Sequence, residues 1–192
     1  MESFLRVLLP RLLPDGPTFE VHAFQGKPDL LNNLERRLRA YAKWLPADWR
    51  LVVMVDKDND DCLPLKARLE QLAHQAGLRT RSAAREAPWQ LVNRVVVEEL
   101  EAWYFGDWEA VCASYPRVNP DLPRQARYRD PDSIKGGTWE AFERILMRHG
   151  YFVTGLRKTE AARTVAAHVD PRRSRSRSFI NFWKAVTETT AA

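Results

Sequence analysis

Residues 50–61 read Arg-Leu-Val-Val-Met-Val-Asp-Lys-Asp-Asn-Asp-Asp. The apolar run Leu51 to Val55 is too short for a helix and rich in valine, the composition of a strand buried on both faces in a parallel sheet. It stops at once in an acidic loop. In open parallel sheets ligands bind beyond the carboxyl ends of the strands, so this loop is where chemistry is expected. Asp56 and Asp58 stand two positions apart, and alternation along an extended chain points their side chains the same way. Two hard carboxylate oxygens side by side suit magnesium, which takes one or two carboxylates and keeps waters for a phosphate substrate. Asn59, Asp60 and Asp61 add oxygens that could serve a second ion. Like charges packed this closely repel, and a bound cation would relieve them. The competing reading is a polar turn whose residues cap the next helix, a role that fits Asp60 or Asp61. An EF-hand is excluded, because Asp61 and Ala67 stand where the sixth-position glycine and twelfth-position glutamate are needed.

Working outward, helical spacing over Ser3 to Leu13 predicts a helix, stopped by Pro14-Asp15-Gly16-Pro17. Phe19, Val21 and Ala23 alternate with Glu20, His22 and Phe24, which predicts a strand over Thr18 to Phe24. A turn at Gly26-Lys27-Pro28-Asp29 leads to a helix from Asp29 to about Trp44, with Leu30, Leu34, Leu38, Tyr41 and Leu45 as its buried stripe. Beyond the acidic loop, a helix from Leu63 to Ala76 closes at Gly77. Strands are expected at Leu78 to Ser82 and Trp89 to Val97, then helices from Glu98 and from Trp108 to Tyr115. Pro116 to Gly137 carries prolines at 116, 120, 123 and 131 and reads as a long loop. Helices follow at Trp139–His149, capped by Thr138, at Thr159–His168 and at Phe179–Thr187. Strands alternating with helices predict an α/β fold, a mostly parallel sheet flanked by helices. Residues 1–115 would form its core, and 116–192 a long loop and a C-terminal helical part packed on it.

The chain has 192 residues, 45% apolar and 29% charged, the size and balance of one globular domain. No stretch approaches the roughly 18 apolar residues of a membrane span. Met1 to Pro14 carries Arg6 and Arg11 and lacks a small-residue cleavage site, so it reads as a core helix and not a signal peptide. Cys62 and Cys112 cannot build a disulfide framework or a four-cysteine zinc site, and the cytoplasm is the expected compartment. The four histidines show no ligand spacing, and no nucleophile elbow or Cys–His signature is present.

Two further clusters bear on function. Glu98 and Glu101 share one face if their segment is helical, and a carboxylate there could complete a metal site begun by Asp56 and Asp58. The alternative is helix-start acidity that complements the dipole. The net charge of +5 comes from the C-terminal end, where eight Lys and Arg from Arg157 to Lys184 face only Glu160, Asp170 and Glu188. Arg172, Arg173, Arg175 and Arg177, interleaved with serines 174, 176 and 178, could bind phosphates through guanidinium forks and hydroxyls, or form a solvated basic linker. Lys27 joins these arginines as a nucleic-acid-binding candidate and could reach the acidic loop from a strand end, although Gly26-Lys27-Pro28-Asp29 is no P-loop. Lys135-Gly136-Gly137-Thr138 opens a helix and could hold an anion, with plain helix-start geometry the preferred reading. The tryptophans at 44, 49, 89, 103, 108, 139 and 183 read mostly as packing anchors.

The order helix, strand, helix, buried strand ending in Asp-x-Asp, helix resembles the Toprim fold. The stretches Arg11 to Pro14, Phe24 to Leu30, Val55 to Asp61, Glu98 to Asp107, Tyr128 to Asp132 and Gly136 to Phe142 are similar to a bacterial Toprim-like family, domain of unknown function 4276. The resemblance implies magnesium (or manganese) held by Asp56 and Asp58, with a supporting metal or structural role for Glu101, and a phosphodiester-cleaving activity related to the overcoming-lysogenization-defect nucleases; Asp60 and Glu98 join the candidate metal ligands from the residue reading above. Leu100-Glu101-Ala102-Trp103 is similar to a Glu-x-Trp element of other Toprim-like defence proteins. That likeness implies a phage-defence effector acting beside an ATPase on DNA or RNA. The Toprim catalytic glutamate ends the first strand, just before the first helix. This sequence opens inside that helix, so the first strand is expected to be missing and Glu2 is assigned no catalytic role. The alternative function is a non-catalytic regulatory or interaction subunit on a degenerate Toprim scaffold.

Overall fold

The computed structural model describes residues 1–13, 18–57, 60–84, 87–97 and 99–190. The expected turn at 14–17 and two candidate ligands, Asp58 and Glu98, lie outside the described residues. The chain divides into two units, Met1–His22 with Val97–Ile180, and Ala23–Val96 with Asn181–Ala192. We call them the helical unit and the sheet unit.

The sheet unit is mixed α/β. Two parallel strands, β1 (Leu51–Asp56) and β2 (Leu91–Val96), pair in register from Leu51 opposite Leu91 to Asp56 opposite Val96. Helix α2 (Gly26–Ala42) precedes β1, and α3 (Cys62–Gln75) makes the crossover to β2. One core joins Leu30, Leu34 and Leu38 of α2, Val53 and Val55 of β1, Leu65, Leu69 and Ala73 of α3, and Leu91 of β2. Successive side chains of β2 point to opposite faces. Asn93 donates to Glu70 of α3 at 2.8 Å, while the Arg94 Nε–H on the other face donates to the Asn181 carbonyl of α8 (Arg177–Thr190) at 3.0 Å. Arg81 and Glu188 pair at 2.6 Å, again tying α8 to this unit.

Five expectations are corrected here. Strand β1 is not buried on both faces: Val53 and Val55 are buried, but Leu51, Val52 and Met54 are only half-buried. The described sheet has two strands. The expected strand at Thr18 to Phe24 forms no ladder. Its residues lie mostly exposed, so the alternation marks no buried face. The expected strand at Leu78 to Ser82 contracts to one parallel bridge, Thr80 to Leu91, because the backbone turns away at once through bonds from the Ala83 and Ala84 N–H groups to the Thr80 carbonyl. Helix α2 starts at Gly26 and not Asp29. Asp29 lies inside the first turn, where its carboxylate accepts from the Gln25 N–H at 2.8 Å and so satisfies the backbone at the helix start from within. Tyr41 falls off the buried stripe and is half-buried.

The helical unit contains α1 (Glu2–Leu12), α4 (Leu100–Gly106), α5 (Trp108–Ser114), α6 (Thr138–Arg148), α7 (Lys158–Ala166) and the first turn of α8. Helix α1 is a core helix, with Phe4 and Leu8 fully buried, and it packs on α7. Every residue of α4 is buried, including Glu101. Around α4 the rings of Phe4, Trp103, Tyr104, Phe105, Phe142 and Phe179 meet at centroid distances of 5.1–6.2 Å. The loop at 116–137 is held by three single 3₁₀ turns, at Leu122–Arg124, Ala126–Tyr128 and Pro131–Ser133. Among the described residues, no helix is long and apolar enough to cross a membrane.

Candidate functional site

In the sheet unit, Asp56 ends β1 half-buried, opposite Val96. The ladder runs one bond further, with the Lys57 N–H on the Val96 carbonyl at 2.8 Å. The Asp60 N–H then turns back to the Lys57 carbonyl at 3.1 Å, and Asp61 caps α3 by accepting from the Leu63 N–H at 2.9 Å. Asp61 thus takes the capping role. Lys27, in the first turn of α2, brings its ammonium to the same loop, donating to the Lys57 carbonyl and pairing with Asp60 Oδ2, both at 2.9 Å. Its side chain is 16% exposed, so this charge is committed to the loop and is not a free surface cation.

The donors present have the oxygen chemistry of a magnesium site, but two of the described carboxylates already serve the protein, Asp60 with Lys27 and Asp61 with α3. Among the described residues, no three His, Cys, Asp or Glu side chains gather as a set that could hold a metal ion. Glu101 belongs to the helical unit and Asp56 to the sheet unit.

The helical unit holds the basic segment, and its two residue types separate. Ser176 and Ser178 are buried, whereas Arg172, Arg175 and Arg177 are exposed. The separation rests on Asp132, which sequence reasoning did not single out. Asp132 Oδ1 accepts from the Ser176 hydroxyl at 2.7 Å and from that of Ser178 at 3.3 Å. Its Oδ2 accepts from the Arg177 N–H at 2.6 Å and the Ser178 N–H at 3.3 Å, at the start of α8. The Trp103 indole N–H, at 2.8 Å from Ser178 Oγ, closes the network from inside. Gly106 is needed beneath it: a Cβ there would lie 2.9 Å from the Ser176 Cβ. The segment is therefore a built strap with serines inward, and not an unattached linker.

Arg173 differs from its neighbours. Its Nε and Nη2 form a bidentate pair with Asp107 at 2.9 and 3.0 Å, and Nη2 also donates to the His168 carbonyl. Asp107 is 1% exposed, caps α5 through the Ala110 N–H, and accepts from the Asp170 N–H at 2.8 Å. Arg175 lies 3.4 Å from the Phe105 carbonyl. Arg172 pairs with Asp170 at 2.7 Å. Hydrogen bonds from Arg172 hold the Asp170 carboxyl at about 2, below its ordinary 3.8. A depressed carboxyl pKa stabilises the fold above the unfolded value, and the gain disappears as pH falls through the folded one. We expect Arg172→Ala to return the Asp170 titration, followed by NMR, towards its ordinary value. The pair is a surface one, so the stability lost at neutral pH is small, and it vanishes as pH drops from about 4 to about 2.

The Gly136-Gly137-Thr138 helix start already has its anion. Glu99 Oε2 accepts from the Thr138 hydroxyl at 3.0 Å and the Trp139 N–H at 3.1 Å, and Gly137, with φ of 83°, stands where a Cβ would strike Glu140. Thr138 is the first helical residue and Gly137 the cap. The preferred reading, helix-start geometry, has its partner in a glutamate that lies between the two the sequence had singled out.

No curated protein and no solved structure matches the chain. A family model described as Domain of unknown function (DUF4276) matches residues 1–187, and the chain belongs to that family.

Proposed function

We propose that the protein is a Toprim-like, magnesium-dependent phosphodiester-cleaving protein, with Asp56, Asp58 and Asp60 as the carboxylates that would hold the ion. The reading is supported above all by the place of Asp56, at the carboxyl tip of a parallel strand where the acidic loop begins. A bound divalent ion there would orient a phosphate and lower the pKa of a water for in-line attack. The chain's own residues would position. Lys27 holds the loop through the Lys57 carbonyl and Asp60. In the other unit the exposed guanidiniums of Arg172, Arg175 and Arg177 suit backbone phosphates, while that of Arg173 is committed to Asp107. The Toprim likeness extends the reading to an effector that works beside an ATPase in phage defence.

A second reading, a non-catalytic subunit on the same scaffold, is favoured by Lys27. Its ammonium supplies the acidic loop with a cation from within the chain, so the loop needs no metal to be tolerated. Plasmid and RNA cleavage with magnesium or manganese separates the two. The enzyme reading expects metal-dependent cleavage that falls at least ~10-fold in Asp56→Asn and Asp58→Asn, the loss typical even of residues that only support a metal ligand. Cleavage surviving both substitutions overturns the assigned site, and no cleavage by the unaltered chain leaves the subunit reading.

A further inference from the structure

We propose that the outward side of α2 and the segment after it bind single-stranded nucleic acid, by stacking bases on Trp44 and Trp49 and holding phosphates with the arginines alongside. The proposal deepens the reading above. It rests on it for the partner's class but not for any cleavage chemistry.

Helix α2 carries two stripes. Leu30, Leu34 and Leu38 enter the core. Arg37, Tyr41 and Trp44 follow the i, i+4, i+7 spacing of a second face and are not part of that core. The rings run on from one to the next, Tyr41 to Trp44 at 5.4 Å and Trp44 to Trp49 at 6.0 Å, inclined at 50° and 72°. Trp44 is 56% exposed and Trp49 42% exposed. Large rings left this open side by side mark a surface that meets something.

The charge beside them says what. Arg36, Arg37 and Lys43 are exposed on or just after the helix. Of the helix's acids, Glu35 pairs with Arg39 at 2.7 Å, and Asp29, which lines the concavity beside these cations, is already engaged by the Gln25 N–H and the Asn33 amide. Two guanidiniums already lie over rings, Arg37 over Phe24 at 5.4 Å and Arg50 over Trp89 at 5.6 Å. Between Phe24, Arg36, Arg37, Tyr41 and Trp44 is an open concavity of about 540 Å³. Exposed aromatic faces interleaved with cations form the surface that takes bases and phosphates together. A duplex keeps its base faces stacked inside, so only a single strand can offer them.

The test uses the full chain in EDTA, with a fluorescein-labelled oligothymidylate and its duplex with oligodeoxyadenylate. The single strand should bind more tightly than the duplex. Trp44→Ala and Trp49→Ala should each weaken binding roughly 5- to 150-fold, the range expected when one base stack is removed. Arg36→Gln with Arg37→Gln should lower the log–log salt slope by about 1.4, at roughly 0.7 for each phosphate no longer neutralised. All four residues are exposed, and unchanged thermal unfolding confirms each variant's fold. The assay holds no divalent ion, so failure of the proposed metal site leaves this result standing. Absent binding, equal affinity for the duplex, or affinity indifferent to Trp44 and Trp49 overturns the proposal. So does self-association that Trp44→Ala abolishes in a chain that binds no oligonucleotide, since a second copy would then cover the face.

Discussion

Arg173→Met is expected to cost about 3 kcal/mol of folding stability, the low end of what breaking a buried ion pair costs. The expense lies on the Asp107 side. Its carboxylate is 1% exposed, and the guanidinium gives it two parallel bonds at 2.9 and 3.0 Å. Methionine fills much of the arginine's volume but leaves a charge with little water to turn to. Two things keep the loss at the low end. Asp107 retains the Asp170 N–H and a long bond from the Ala110 N–H, and the Arg173 side chain is 35% exposed, so the pair was never wholly dry. Asp107→Ala should cost less for the ion pair, because a partly exposed guanidinium can rehydrate, but it also removes the α5 cap, worth about 1 kcal/mol. The double variant should be more stable than the sum of the singles, by about 0.5–3 kcal/mol. Urea midpoints at constant m report all three. A loss below about 1 kcal/mol in Arg173→Met would mean that water reaches Asp107 freely.

Asp107 illustrates why the acids were hard to sort from sequence. Among the described residues, carboxylates meet the N–H groups that open α3 (Asp61), α5 (Asp107), α6 (Glu99) and α8 (Asp132). Orphan N–H groups at a helix start and a metal ion ask for the same oxygen, so residue type alone cannot distinguish a cap from a ligand. Asp61 was legible because a cap lies within a few residues of its helix. Asp132 and Glu99 were not, because their partners lie 44 and 39 residues away.

Secondary structure divided in the same way. Helices carry their bonds within themselves, so α1, α3, α6 and α7 were readable to within a residue or two. A strand needs a neighbour. Leu51–Asp56 finds Leu91–Val96, but Thr18 to Phe24 finds no partner among the described residues and Thr80 finds one bridge. The exposure of Trp44 and Trp49, read as packing anchors, was hidden for a related reason: the size of a ring does not say whether anything covers it.

Asp132→Ala is expected to cost about 2–4 kcal/mol and to unfasten the strap without altering any of its arginines. The α8 cap accounts for about 0.5–2 kcal/mol. The rest comes from the Ser176 and Ser178 hydroxyls, which lose a carboxylate acceptor while buried, at about 1–3 kcal/mol for a group left unsatisfied. The sum is not fully realised, because the two hydroxyls lie 3.1 Å apart and can still bond each other. Asp132→Asn keeps one acceptor oxygen and should recover roughly half of the loss. The Trp103 indole N–H resonance, which reports Ser178, should shift in both variants and remain in place in Arg177→Ala. That last change should cost less than about 0.5 kcal/mol, since Arg177 meets Asp132 only through its backbone N–H. The comparison reaches function as well. If Arg175 and Arg177 hold phosphates, they do so because serines on the alternate positions fix them outward. Asp132→Asn should then weaken nucleic-acid binding at unchanged arginine number, whereas a strap that binds by charge alone would bind at least as well, since the change also removes a negative charge.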